Sequence, residues 1–399
     1  MKQLHRLKLA SLFVALTIGI NLLPAGATTV ESPSAESKID PLLQKAMAEF
    51  PTGEKFPVYL WTQDIDHEQV ERQVKIRTGL TIDSIQLNVK KQLNMSELDI
   101  SFAETNDEVK AKEQMSVILK NTEAVREQKR VLTDTIAEKR SAYQAEYRSK
   151  NDKSRKALHI EEKDVLLQSE YSPTIIANLS AEEMTSAAQS PAVTAIGLCE
   201  EATVINDSLA SSIQSIEADL SVSLLTGSGV KIGQLERGVP DTSDSGLGGK
   251  VTAVGGSVDS HATRVARVLH AMAPDAQIYS IGLGTDGGLS NFGSKVEQLI
   301  GNCGVSVINM SAGITTDTGE RVPSTDPWYS PYEQWVDHIS GTHEITFVVA
   351  AGNNGIGQDI SIPGLAHNVI TVGAIDDNNT GSVLTDNYLW PNTSTGNGN

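Results

Sequence analysis

Cysteine is nearly missing: Cys199 and Cys303 are the only two in 399 residues. That excludes a disulfide-built scaffold and leaves open a single bridge between them. No Cys-x-x-Cys pair and no His-Glu-x-x-His occur, so no zinc site is expected. Positive charge is short as well, with 32 Lys and Arg against 50 Asp and Glu and a formal net charge of −18. Such a surface repels phosphate backbones, which excludes nucleic acid as a partner. Nor does any apolar run reach the roughly 20 residues that cross a bilayer. The longest, Leu9 to Leu23, follows Lys2, Arg6 and Lys8 and leads into Pro24 and Ala25-Gly26-Ala27. This is the pattern of a secretory signal peptide over residues 1–27, implying a secreted or cell-envelope protein without a stable membrane anchor.

What is present falls into two parts. Residues 28–54 begin Ser/Thr/Glu-rich and are expected to be a disordered linker. Residues 55–198 read as a small α+β domain. In it Phe56 to Trp61 form a strand, Asp66 caps a helix, Thr174 to Leu179 form a strand, and Ser180-Ala181-Glu182-Glu183 is a capping box ahead of a helix from Ala181. Ala192 to Ile196 supply a further strand. Between them lies a helical insertion over about 107–167, rich in Lys, Glu, Arg and Gln and free of Pro and Gly, which reads as a solvated arm. A polar linker at 199–223 leads to residues 224–399, where short apolar strands alternate with helices. The strands are at 230–235, 276–281, 305–310, 345–350 and 369–373, and the helices at 262–271, 291–300 and 332–339. That alternation predicts an α/β fold, a parallel sheet with helices on both faces, whose polar residues gather at the carboxyl ends of its strands.

Three such residues are candidates. Glu236 follows the first strand, His261 opens the first helix, and Asn353 follows a later strand in Ala351-Gly352-Asn353-Asn354-Gly355. Each alone has a plainer reading: a solvated carboxylate, a structural histidine, a turn. Together a carboxylate, an imidazole and an amide donor make the parts of acyl-transfer chemistry.

The strings around them resemble the subtilisin-like serine proteases. Val230 to Gly238 is similar to the family's strand-plus-aspartate segment, and His261-Ala262-Thr263-Arg264-Val265-Ala266 to its His-Gly-Thr-His segment. Ala273-Pro274-Asp275-Ala276-Gln277-Ile278-Tyr279, Val307 to Gly313, Val349 to Asn353 and Ile362-Pro363-Gly364 through Ala374 also match the family pattern. The resemblance implies a serine endopeptidase with His261 as base, Glu236 in the aspartate position and Asn353 as oxyanion donor. It implies a polypeptide substrate paired on Ser311, Ala312 and Gly313 and lined by Ala351 and Gly352. It further implies that the preceding α+β domain is a prosegment acting as an intramolecular inhibitor. Calcium would be a structural cofactor by resemblance alone, with Asp241 to Asp244 and Asp376-Asp377 as acidic loops.

Departures accompany the match. Glu236 is a methylene longer than aspartate, so its carboxylate must retract to keep a hydrogen bond near 2.8 Å. Arg264 stands where the family has a second histidine and adds bulk and charge. Ser394 lacks a following apolar helix and is not nominated as nucleophile. The Gly-Thr-Ser-x-Ala segment is expected beyond residue 399, with part of a sheet face left uncovered. The competing expectation is a catalytically inactive, peptide-binding relative. Dinucleotide binding finds no support, because Gly227-Ser228-Gly229 and Gly282-Leu283-Gly284 do not complete G-x-G-x-x-G.

Overall fold

The structure is a computed structural model describing residues 34–80, 122–200, 202–206, 226–316, 330–376 and 388–396. The leader, most of the 199–223 connection and Asp377 lie outside the described residues. The chain divides into two compact units, one of residues 34–73 with 137–399, the other of residues 1–33 with 74–136. In the latter, the described parts are helix ends with local contacts such as Thr135 Oγ1 to Val131 O at 2.8 Å. All that follows concerns the former.

Its first part starts earlier than composition suggests. The stretch read as disordered linker holds a helix, α1 (Pro41–Met47). Asp40 caps it, accepting from Leu42 N at 2.8 Å, and Leu43 is fully buried. One cap and one apolar anchor suffice to dock a short helix in a polar segment. Then come β1 (Phe56–Thr62), α2 (His67–Thr78) and α3 (Thr122–Ala157). They are followed by β2 (Val165–Gln168), β3 (Thr174–Leu179), α4 (Ala181–Gln189) and β4 (Val193–Leu198). Both halves of the expected capping box at Ser180 and Glu183 are made. The four strands form an antiparallel sheet in the order β2-β3-β1-β4. The long helix stops ten residues short of the expected 167, because His159 turns into the left-handed region (φ 56°). The Val165-Leu166-Leu167 run beyond it pairs with β3.

The segment read as a polar linker also contains a strand, β5 (Ala202–Asn206). The larger sheet is fully parallel, in the order β12-β11-β9-β6-β8-β7. It comprises β6 (Lys231–Glu236), β7 (Val251–Gly255), β8 (Gln277–Gly282), β9 (Val307–Met310), β11 (Thr346–Ala350) and β12 (Val369–Val372). Edge strand β7 went unpredicted because its Val-Thr-Ala-Val-Gly run is short and mostly exposed. Helix α5 (Ser260–Met272) lies on one face, where Gln234 Nε2 donates to Ala262 O at 2.8 Å. Helices α6 (Leu289–Gln298) and α7 (Pro331–His343) cover the other. There Phe292, Val296, Trp335, Val336 and Ile339 pack with Leu235, Ile281, Ile308 and Phe347 in one core. Beyond α5 no described helix covers the first face, with Ile370 38 % and Val372 49 % exposed. A parallel sheet normally buries both faces. The last paired strands are β10 (Ala312–Thr316), antiparallel to β5, and the short β13 (Ile375–Asp376) with β14 (Tyr388–Leu389).

Candidate functional site

Parallel strands bring their carboxyl ends to one edge. Glu236 at the end of β6 therefore lies beside Ser311, which follows β9, and β11 delivers Ala351 to Asn353 to the same edge. Glu236 is 0 % exposed. Its Oε1 accepts from Ser311 N at 2.9 Å, and its Oε2 lies 3.1 Å from His261 Nδ1. That second contact has ion-pair distance without hydrogen-bond alignment. The longer side chain, anchored by Ser311 N, brings its other oxygen alongside the ring.

His261 is 4 % exposed and is held through the backbone of α5. The Asp259 carboxylate accepts from His261 N at 2.8 Å and Ala262 N at 3.0 Å, closing the first turn of the helix. Asp259 is in turn strapped down, its N–H donating to Val239 O at 2.8 Å and its carbonyl accepting from Thr263 Oγ1 at 2.9 Å. Gly238 permits this approach, since a Cβ there would lie 2.4 Å from Asp259 Cβ and 2.6 Å from Ser257 O. Asp259 is the N-cap that fixes the backbone of His261; Asp-Ser-His before an apolar run is an N-cap signal in itself. Arg264, expected to crowd the site, is exposed on the outer side of the helix.

The electrostatics of the pair follow from its burial. Loss of water raises the Glu236 carboxyl above the ordinary carboxylate range, partly offset by His261 and by the Ser311 N–H. Burial by itself would lower His261, but the anionic Glu236 and Asp259 outweigh it and hold the imidazole above its ordinary value of 6.5. His261 Nε2 has no hydrogen-bond partner among the described residues.

Asn353 is half-buried after a sharp turn at Gly352, where φ is +104°. Ser394 pins this turn: its N–H donates to Gly352 O at 2.9 Å and its hydroxyl accepts from Asn354 N at 3.1 Å. Ser394 is buried, at 3 % exposure. The carbonyl of Ala351 accepts from Ser361 N at 2.9 Å, so Ala351 and Gly352 present a wall whose carbonyls are already engaged.

Ser311 to Gly313 open the strand β10, and that strand is occupied by the chain itself. Ala202–Asn206 runs antiparallel to it, with Ala312 opposite Asn206 and Thr316 opposite Ala202. On its other side β5 meets the loop after β8, through Gly287 N to Ala202 O at 2.9 Å and a bridge between Thr203 and Asp286. β5 thus lies between β10 and the loop after β8, running toward the Glu236 edge.

Other candidates are accounted for among the described residues. Both thiols are free, and burial pushes Cys199 up to about 12, far from a thiolate at neutral pH. Asp241 accepts from Ser243 N and Oγ, and Asp244 accepts from Gly246 N and pairs with Arg267. No group of three His, Cys, Asp or Glu is placed to hold a metal, and no helix is long and apolar enough to cross a membrane, among the described residues. A cavity of about 380 Å³ lies along β5, between Pro57, Leu166 and Cys199 and the Asp286–Ser290 loop, and is not lined by Glu236, His261 or Asn353.

Comparison with known proteins adds the relationships. Residues 248–396 match the subtilase family. An alkaline protease of Alkalihalobacillus alcalophilus is 29 % identical over 234 residues, covering 54 % of this chain and 58 % of that protein. Subtilisin BL of Lederbergia lenta is 33 % identical over 172 residues, 39 % of this chain and 59 % of that one. The chain thus spans less than two thirds of the curated relatives it matches. Among solved structures, an epidermin leader peptide processing serine protease from Staphylococcus aureus is 17 % identical, with a TM-score of 0.37 over 57 % of this chain and 67 % of that one.

Proposed function

We propose that this chain, whose residues 248–396 match the subtilase family, is the precursor of a secreted serine endopeptidase. The observation that carries the proposal is the buried Glu236–His261 pair, with Nε2 of the imidazole unpartnered among the described residues. His261 takes the proton of an attacking serine hydroxyl and returns it to the leaving amine. Glu236 keeps the proton on Nδ1 and stabilises the imidazolium that forms. The Asn353 amide donates to the carbonyl oxygen as it becomes an oxyanion. The serine is expected outside the described residues, and no described helix covers the face around Ile370 and Val372. An extended polypeptide binds β10 by strand addition.

In the precursor that place is taken. β5 follows the α+β domain directly and pairs along β10, so residues 34–206 act as a prosegment that blocks its own enzyme. Because β5 runs toward Glu236 and its residue Asn206 faces Ala312, the bond to be cut lies just after it. N-terminal sequencing of the processed protein is expected to give a start within residues 207–210. A start upstream of Ala202, or no processing in a protein that carries the serine, would contradict the reading and leave the inactive peptide-binding alternative.

The pH dependence has a definite sign. An imidazole whose pKa is raised stays protonated to higher pH, and imidazolium cannot accept the serine proton. The kcat/KM profile is expected to rise with pH and reach half its plateau above pH 6.5. In Glu236→Gln the main anion is gone while burial remains, so the midpoint moves down as the plateau falls. An unmoved midpoint would separate Glu236 from His261.

A further inference from the structure

The charged composition of α3 reads as a solvated arm, yet one stripe of it is buried. Tyr143 is 2 % and Tyr147 0 % exposed, and Lys139 is also buried. That stripe meets the carboxyl end of α7. A helix ends with carbonyls that have no partner within it, and usually a glycine turns the chain to satisfy them. Here the turn is made by Glu344, a non-glycine residue at φ 54°. The donors come from α3. Arg140 Nε donates to His343 O at 2.7 Å, its Nη2 to Glu344 O at 3.0 Å, and its Nη1 to Val305 O at 2.9 Å, just before β9. A cation is favoured at this end of the helix dipole. Lys139 adds an ion pair to Glu344 at 2.9 Å. Tyr147 OH lies 2.9 Å from both Asp64 Oδ1 and His338 Nε2, tying β1's exit to α7.

These contacts sit where β9 and β11 begin, the edge of the parallel sheet opposite Glu236 and β10. We propose that residues 139–147 of α3 are a clamp, a second docking site on the α7–β11 corner that retains the N-terminal region after the chain is cut past Asn206. Strand β5 blocks the cleft, and the clamp sets how long the cut fragment stays. The proposal rests on the precursor reading for its purpose, but its geometry and its test need no nucleophile.

The test places the recognition site of an unrelated sequence-specific protease within residues 207–225 of the full chain. After cutting, dissociation of the two fragments is followed by size exclusion and by fluorescence on dilution. The uncut fold is checked by circular dichroism. The cut parent is expected to elute as one complex, and Arg140→Ala to speed dissociation about hundredfold, through loss of three charge-assisted hydrogen bonds. Should Arg140→Ala fail to fold, Arg140→Lys keeps the charge without the fork and is expected to dissociate about tenfold faster. Parental fragments that separate at once, or variants that part at the parental rate, overturn the clamp. Clamping without self-processing would leave it standing and count against the protease reading alone.

Discussion

Replacing His261 with alanine in the protein that carries its serine is expected to lower kcat/KM on a peptide substrate by about four to six orders of magnitude and to abolish labelling by a fluorophosphonate. The size of the effect follows from what is lost. The hydroxyl proton has no other acceptor, because Glu236 is wholly buried behind the ring and bound to Ser311 N. Residual rate comes from binding and the oxyanion donor alone. Ser394→Ala supplies the contrast. It deletes the acceptor for Asn354 N, so about 1 kcal/mol of stability should go while labelling persists. Labelling that survives His261→Ala would remove His261 as the base, and labelling lost with Ser394 would return that serine to consideration.

The second large effect is at Gly352. Alanine there places a Cβ 2.3 Å from Ser361 Oγ and 3.1 Å from Ser394 Oγ, at a φ of +104° that side chains rarely adopt. Backbone strain of roughly 1–3 kcal/mol adds to overpacking of similar size. Gly352→Ala is expected to cost about 3 kcal/mol or more in denaturant unfolding. It should also displace Asn353, the next residue, and lower kcat more than it raises KM, as loss of an interaction made in the transition state does. A variant with parental stability would mean that the turn is not held as described.

Legibility differed by kind of signal. The five predicted strands of the large sheet were readable because each is a short run rich in apolar and β-branched residues, set between helical segments and turn signals. Glu236 and His261 were readable because each sits at an element boundary within a specific string, and α4 because Ser180 and Glu183 form a local motif. What could not be read depends on distant partners. β5 is five residues whose pairing lies with Ala312–Thr316, more than a hundred positions away. α1 needed its anchor Leu43 as much as its cap. The end of α3 is set by one residue, His159, in a conformation its side chain does not announce, and Arg140 is one basic residue among many until α7 is seen beneath it.

The place where the two sides of the cut begin has one more consequence. Asn206 ends β5 at the Glu236 edge. Thr226 lies near the start of β8, its carbonyl accepting from Asp275 N at 2.8 Å, at the opposite edge of the sheet. The two are about 20 Å apart along a six-residue strand, and the nineteen residues between them are ample to span it. On the precursor reading, a cut past Asn206 leaves β5 paired with β10, while the new amino terminus belongs to the stretch that runs to Thr226 at the far edge. The carboxyl and amine that would have to meet for the peptide bond to re-form would then be tied to opposite edges of the sheet.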